Sequence, residues 1–285
     1  MKKWLVVIVI ALLIGYEWMS RDQEDATADL NIKTIRVSAD NGSKTLTVIP
    51  KGQIYQGNLL LVNKDYPVQP SGVSADIVRL TDYEELTSGY LLLDHKTLLS
   101  RQVAEKFTKM VHAAAGDDIN SFLISSGYRD NEKQKQLYEE KGADYALPPG
   151  YSEHNLGLSL DIGSSQMAMS RAPEGQWLRE HAWDYGFILR YPEDKTDITG
   201  IKYEPWHFRY VGLPHSVIMR DKNFTLEEYL EFLKGKKSIA TTVNGVEYQI
   251  SYIEINGNTP VPTPDAQHIE FSGDNMNGVI MTVYP

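Results

Sequence analysis

The stretch Tyr151-Ser152-Glu153-His154-Asn155-Leu156-Gly157-Leu158-Ser159-Leu160-Asp161-Ile162-Gly163 decides the fold. Leu158, Leu160 and Ile162 alternate with Ser159, Asp161 and Gly163, which predicts a strand that shows Asp161 on the face opposite the leucines. Gly157 permits a bend, so His154 and Asp161 stand at the two ends of a turn-strand unit. Further along, Tyr203-Glu204-Pro205-Trp206-His207 brings a second histidine and another carboxylate.

The elements around this stretch are mixed. Ser100 caps a helix whose apolar face is Val103, Phe107, Met110, Val111 and Ala114. Phe122-Leu123-Ile124 reads as a short buried strand, and Asp130 caps a second helix from Asn131 to about Glu140, which Gly142 stops. Pro173 opens a helix through Trp177 and Leu178 that ends at Gly186. Phe187 to Tyr191 and Glu204 to Val211 read as strands, with helices starting at Pro214 and Thr225. Upstream, Gln56 to Val68 reads as a buried strand followed by a turn. Ile35-Arg36-Val37 and Leu46-Thr47-Val48 flank Asp40-Asn41-Gly42 as a hairpin. Beyond Lys234-Gly235-Lys236-Lys237 come short strands with turns at Asn244-Gly245, Asn256-Gly257 and Asn277-Gly278. The fold class expected is α+β: an antiparallel sheet with flanking helices carrying a metal site, plus a small C-terminal β appendage.

Composition narrows the chemistry. With 285 residues and 42% of them hydrophobic, the chain is long enough to bury a core. Its formal net charge of -10 offers no basic stripe for phosphates, which excludes nucleic acid as a partner. The absence of cysteine excludes disulfides, thiolate zinc sites and thiol nucleophiles. Met1-Lys2-Lys3 precedes an apolar run from Trp4 to Tyr16, the pattern of an export signal. No small-residue cleavage site follows, so the expectation is an uncleaved signal anchor: a single-pass protein of the cell membrane with its catalytic domain outside the cytoplasm. A cleaved, secreted form is the alternative.

A catalytic zinc takes three protein ligands from imidazole and carboxylate and leaves a position open. His154, Asp161 and His207 supply that set. Taken singly, each has a duller reading, as a hydrogen-bonded loop histidine or a turn-forming aspartate. Glu204 strengthens the metal reading, because a carboxylate beside such a site can take a proton from water and return it to a leaving group. Three residues from His207 it would face the other way on a regular strand, but Pro205 gives a reason for irregularity. Arg129, after a buried strand and a Gly-Tyr bend, can point into the same cleft and stabilise an oxyanion. Gln134 and Ser152 can face it too, although from the residues alone capping and surface roles are the preferred reading for both.

Ser125-Ser126-Gly127-Tyr128-Arg129, then Ser152-Glu153-His154 with Gly157 and Asp161, then Glu204-Pro205-Trp206-His207 resemble, in order and spacing, the zinc D,D-carboxypeptidases of the VanY type. The resemblance covers about Tyr55 to Leu233. It implies zinc (Zn2+) on His154, Asp161 and His207, with Glu204 as general base and then acid. It further implies Arg129 polarising the scissile carbonyl, and Gln134 with Ser152 holding the terminal D-Ala carboxylate. Ser159 departs from the small apolar residue of many relatives, a change expected to affect packing more than catalysis. The domain division expected is a signal anchor over 1–19, stalk and hairpin over 20–52, a zinc carboxypeptidase domain over 53–234 and a small β domain over 238–285.

The function so implied is removal of the C-terminal D-Ala from peptidoglycan stem peptides or lipid-linked precursors ending in D-Ala-D-Ala, contributing to glycopeptide resistance. No Ser-x-x-Lys occurs in the chain, which argues against a serine penicillin-binding enzyme. Two alternatives stay open: an L,D-carboxypeptidase trimming tetrapeptide stems, and a wall-binding module that keeps the zinc fold without hydrolysis.

Overall fold

The computed structural model describes residues 30–35, 45–142 and 147–285. Strands β1 (Lys33–Thr34), β2 (Thr45–Ile49), β3 (Ile77–Arg79), β4 (Leu91–Leu92) and β5 (Leu98–Ser100) precede helix α1 (Arg101–Gly116). Then come β6 (Phe122–Ser126), α2 (Asn131–Lys141), β7 (Ser159–Ser164), α3 (Pro173–His181), β8 (Phe187–Leu189), α4 (Thr196–Thr199) and β9 (His207–Tyr210). Helices α5 (His215–Lys222) and α6 (Leu226–Lys236) lead into β10 (Ser238–Val243), β11 (Val246–Glu254), β12 (Thr259–Thr263), β13 (His268–Gly273) and β14 (Gly278–Tyr284).

The expected α+β architecture is present. Its functional sheet has the order β4-β6-β7-β9-β8, antiparallel except for the short parallel pair of β4 with β6. Helix α1 forms where its sequence dictates: Ser100 Oγ accepts from the Val103 amide, and Val103, Ala104, Phe107, Met110, Val111 and Ala114 are all buried. Phe107 meets Tyr90, Phe122 of β6 and Phe187 of β8 edge to face, which locks the helix across the sheet. Truncating a ring so enclosed costs about 3–5 kcal/mol.

The C-terminal strands build a second sheet in the order β1-β10-β11-β14-β13, and β2 pairs with β12. Asn244 (φ +51°) and Gly245 (φ +77°) turn β10 into β11 in the left-handed conformation that a two-residue hairpin requires. The turn expected at Asp40-Asn41-Gly42 lies outside the described residues. The strands on either side pair with the C-terminal region, Lys33–Thr34 with β10 and Thr45–Ile49 with β12. Ile32–Pro285 form one compact unit.

The strand expected within Gln56 to Val68 does not form, although Leu59, Leu60, Leu61 and Val62 are buried as the pattern implied. Single contacts replace a ladder. Ser272 Oγ accepts from the Leu59 amide, the Leu61 amide donates to the Asp274 carbonyl, and the Asn275 side chain donates to the carbonyls of Leu61 and Pro67. The segment is thus fixed by the end of β13 and the loop that follows it.

The single-pass membrane topology needs correction. Among the described residues no helix is long and apolar enough to cross a membrane. The longest, α1, has 16 residues and carries Arg101, Glu105, Lys106 and Lys109 on its outer side, against the ~20 apolar residues a spanning helix needs. The anchor assigned to residues 1–19 lies outside the described residues.

Where α5 and α6 meet β14, the buried His215 is held by two hydroxyls, Tyr229 at 2.7 Å from Nδ1 and Thr282 at 3.1 Å from Nε2. Burial pushes its pKa down to about 3 from 6.5. Below the unfolded value the unfolded chain binds a proton that the native chain refuses, so stability falls with falling pH, by up to ~1.4 kcal/mol per unit. Urea unfolding of the metal-free chain between pH 7 and about pH 5, above most carboxylate titration, is expected to lose more stability in the parent than in His215→Gln, the comparison that separates His215 from His154 and His207. Equal pH-dependence in parent and variant would contradict it.

Candidate metal centre

Antiparallel pairing sets Asp161 of β7 directly opposite His207 of β9, and Ser159 opposite Arg209. Opposed residues project from the same face, so these four share one side of the sheet. Leu160 and Phe208, also paired, point into the core. His154 arrives from the preceding turn: Ser152 Oγ accepts from the His154 amide, and Gly157, at φ +81°, delivers the chain to β7.

The three expected ligands converge. His154 Nε2 lies 3.3 Å and His207 Nδ1 3.1 Å from Asp161 Oδ1, and one ligand atom from each falls within 4.8 Å of the others. The remaining nitrogen of each ring is already used. His154 Nδ1 donates to the Gly127 carbonyl at 2.7 Å, and His207 Nε2 lies 3.4 Å from Glu153 Oε2. Both rings therefore turn their other nitrogen toward Asp161, and a partner on the far nitrogen is what orients histidine ligands around zinc. Donor types and spacing fit Zn2+.

The electrostatics agree. Burial pulls His154 below its ordinary value, so it is neutral and ready to ligate. Burial also opposes charge on His207, but hydrogen bonds to Asp161 and Glu153 outweigh it and push the metal-free imidazole up to about 9. Burial disfavours the Asp161 carboxylate, yet His154 and His207 hold it ionised, well below the usual range.

Glu204 is not in a strand. Its carbonyl accepts from the His207 amide at 3.1 Å, closing a turn through Pro205 and Trp206, and β9 begins only at His207. That turn brings Glu204 Oε2 to 3.8 Å from His207 Nδ1. Burial raises the Glu204 pKa, with Asp161 adding to the shift and His207 and Arg129 opposing it. Arg129 donates from Nη2 to Ser152 Oγ at 3.4 Å, and its buried Nε has no partner among the described residues. Gln134 stands further back. Its amide nitrogen donates to the Leu147 carbonyl, and its buried Oε1 lacks a partner among the described residues.

One group of residues escaped the sequence reading. Glu153, fully buried, receives Arg190 Nε and Arg209 Nη1 on Oε1, both at 2.8 Å. Arg190 also clasps both oxygens of Glu227, at 3.0 and 2.7 Å. Arg209 reaches back to the carbonyls of Asn58 and Leu60. Ser159, expected to affect packing, donates to Glu153 Oε2 at 3.2 Å. The available signal was an arginine inside each of two apolar strand segments, Phe187-Ile188-Leu189-Arg190-Tyr191 and Phe208-Arg209-Tyr210, because a buried guanidinium demands a buried carboxylate.

The family model VanY, D-alanyl-D-alanine carboxypeptidase, matches residues 96–213. A D-alanyl-D-alanine carboxypeptidase of Enterococcus faecium is 49% identical over 297 residues, covering 100% of this chain and 97% of the relative. The crystal structure of the vancomycin resistance D,D-dipeptidase VanXYg, in complex with a D-Ala-D-Ala phosphinate analogue, aligns with a TM-score of 0.74 at 32% identity, over 86% of this chain and 100% of that one. The LD-carboxypeptidase LdcB aligns with a TM-score of 0.52 at 32% identity, over 60% of this chain and 84% of that one.

Zinc must displace the proton of His207, whereas His154 and Asp161 are already in their ligating forms. Affinity is therefore expected to rise with pH, up to about tenfold per unit, and to level off near 9. Calorimetric titration near pH 6.5 in buffers of different ionisation enthalpy should count about one proton released per zinc. A count of zero would contradict the assignment.

Proposed function

The chain belongs to the VanY family of D-alanyl-D-alanine carboxypeptidases, and on that premise we propose how its residues divide the work of removing D-Ala from peptidoglycan precursors ending in D-Ala-D-Ala. His154, Asp161 and His207 hold the zinc, which when bound supplies Lewis acidity to the scissile carbonyl and to water. Glu204 takes the proton of the attacking water and returns it to the departing amine. A carboxylate whose pKa burial raises suits both halves of that task, since it holds a proton more readily than an exposed carboxylate does.

Arg129 faces the carbonyl oxygen as negative charge develops there. Burial lowers its pKa, but the charges of Asp161 and Glu204 oppose this, and the group remains a cation. Its uncommitted Nε is a donor without a protein acceptor, ready for a substrate oxygen. Ser152 and Gln134 meet the terminal carboxylate. For Gln134 this requires the second amide hydrogen, the first being committed to Leu147. Residues 53–234 form the catalytic domain in this reading, and residues 238–285 the β domain beside it.

The observation that carries the reading is the placement of Glu204 3.8 Å from a nitrogen of the metal triad, by the turn through Pro205 and Trp206 that precedes β9. Removing the C-terminal D-Ala in this way would deprive vancomycin-type antibiotics of their target. A second reading, trimming of tetrapeptide stems, is favoured by the likeness to the LD-carboxypeptidase LdcB.

Digestion of defined pentapeptide and tetrapeptide stems separates them. D-Ala is expected from the pentapeptide, with activity abolished by a chelator, restored by zinc and indifferent to penicillin. Preferential cleavage of the tetrapeptide would transfer the assignment to the L,D class. Glu204→Ala is expected to lower kcat by about 10²–10⁴-fold while zinc stays bound. Unchanged turnover would remove Glu204 from the mechanism.

A further inference from the structure

We propose that Glu153 is a positioning residue for the metal, holding His207 so that its Nδ1 faces the cation and thereby setting zinc affinity. The inference rests on the zinc reading of His154, Asp161 and His207 and adds to it a determinant outside the ligand set.

The two oxygens of Glu153 have different work. Oε1 receives both guanidinium groups, from Arg190 and from Arg209. Among the described residues Oε2 faces only Ser159 Oγ, at 3.2 Å, and His207 Nε2, at 3.4 Å. A carboxylate present merely to neutralise arginine would present both oxygens to one fork, as Glu227 does to Arg190. Glu153 instead concentrates its arginines on one oxygen and leaves the other for the imidazole.

It is held from several sides. The side chain is fully buried. Arg209 is itself tied to the carbonyls of Asn58 and Leu60, and Arg190 to Glu227 of α6. Ser159 holds the second oxygen from the strand position opposite Arg209. The imidazole of His207 packs against the rings of Tyr191 and His154, each with its centroid 4.9 Å away. These contacts confine the ring, and Glu153, by engaging Nε2, leaves Nδ1 on the side of Asp161 and the metal. One short turn, Glu153–Leu156, therefore supplies a ligand directly through His154 and secures another through Glu153.

The test uses the full chain, with zinc affinity measured by competition against a chromogenic chelator and melting measured on the metal-free form. Glu153→Asp keeps a negative charge for the arginines but shortens the reach toward His207. It is expected to weaken zinc binding by about 10–100-fold. Glu227→Gln disturbs the same buried charges through Arg190 without touching His207, and is expected to lower the melting temperature while leaving zinc affinity within about twofold of the parent. Glu153→Asp binding zinc as tightly as the parent would overturn the proposal. So would an equal loss of affinity in Glu227→Gln, which would reduce Glu153 to a part of the fold. Should Glu153→Asp fail to fold, ¹⁵N-histidine NMR of the zinc-loaded parent decides: a protonated Nε2 and metal-bound Nδ1 on His207 support the proposal, and the reverse overturns it. A parent chain that takes up no zinc would refute the metal reading itself, a distinct outcome.

Discussion

The site depends on the register between β7 and β9. Because side chains alternate with period two, pairing Asp161 with His207 also pairs Ser159 with Arg209 on the same face and buries Leu160 against Phe208 on the other. A slip of one residue would turn the ligands into the core and the apolar residues into the cleft. The apolar face thus enforces the geometry of the polar one. Phe107 of α1, wedged against Phe122 and Phe187, presses on that face and keeps the sheet in place.

Beneath the ligands lies a second layer made of charge. Glu153 and Glu227 oppose Arg190 and Arg209, two carboxylates against two guanidinium groups, all inside the fold or nearly so. Such a cluster is a poor source of net stability, since the desolvation of each ion offsets much of the attraction. Losing one member, however, costs about 3–5 kcal/mol because it strands its partner. What the cluster provides is a defined set of partners: Glu153 meets Arg190 and Arg209 on one oxygen, and His207 borders the other. Burial disfavours the charge on Glu153, but Arg209 and Arg190, with His207 beside them, keep it ionised far below the ordinary range.

The C-terminal strands reach this layer through the segment Asn58–Leu61. That segment has no ladder of its own and is fastened by Ser272, Asp274 and Asn275. Its carbonyls at Asn58 and Leu60 then receive Arg209. A β region without evident catalytic residues is therefore continuous, by hydrogen bonds, with the face that carries the ligands.

Much of this was legible in the sequence because it is local. The alternation of Leu158-Ser159-Leu160-Asp161, the cap at Ser100 and the Asn-Gly turn at Asn244 follow from the geometry of a few neighbouring residues, and the ordered set His154, Asp161, Glu204 and His207 pointed to the metal. The strand expected within Gln56 to Val68 was misread because burial alone does not say whether a backbone finds its partners in a ladder or in scattered side chains. Glu153 was invisible as a functional residue, since its partners Arg190 and Arg209 lie 37 and 56 positions away. The sequence by itself determined which residue types are present and which local elements they form. Only the tertiary structure decided which carboxylate touches which imidazole, because hydrogen-bond distances across a sheet are set by register and packing rather than by spacing along the chain.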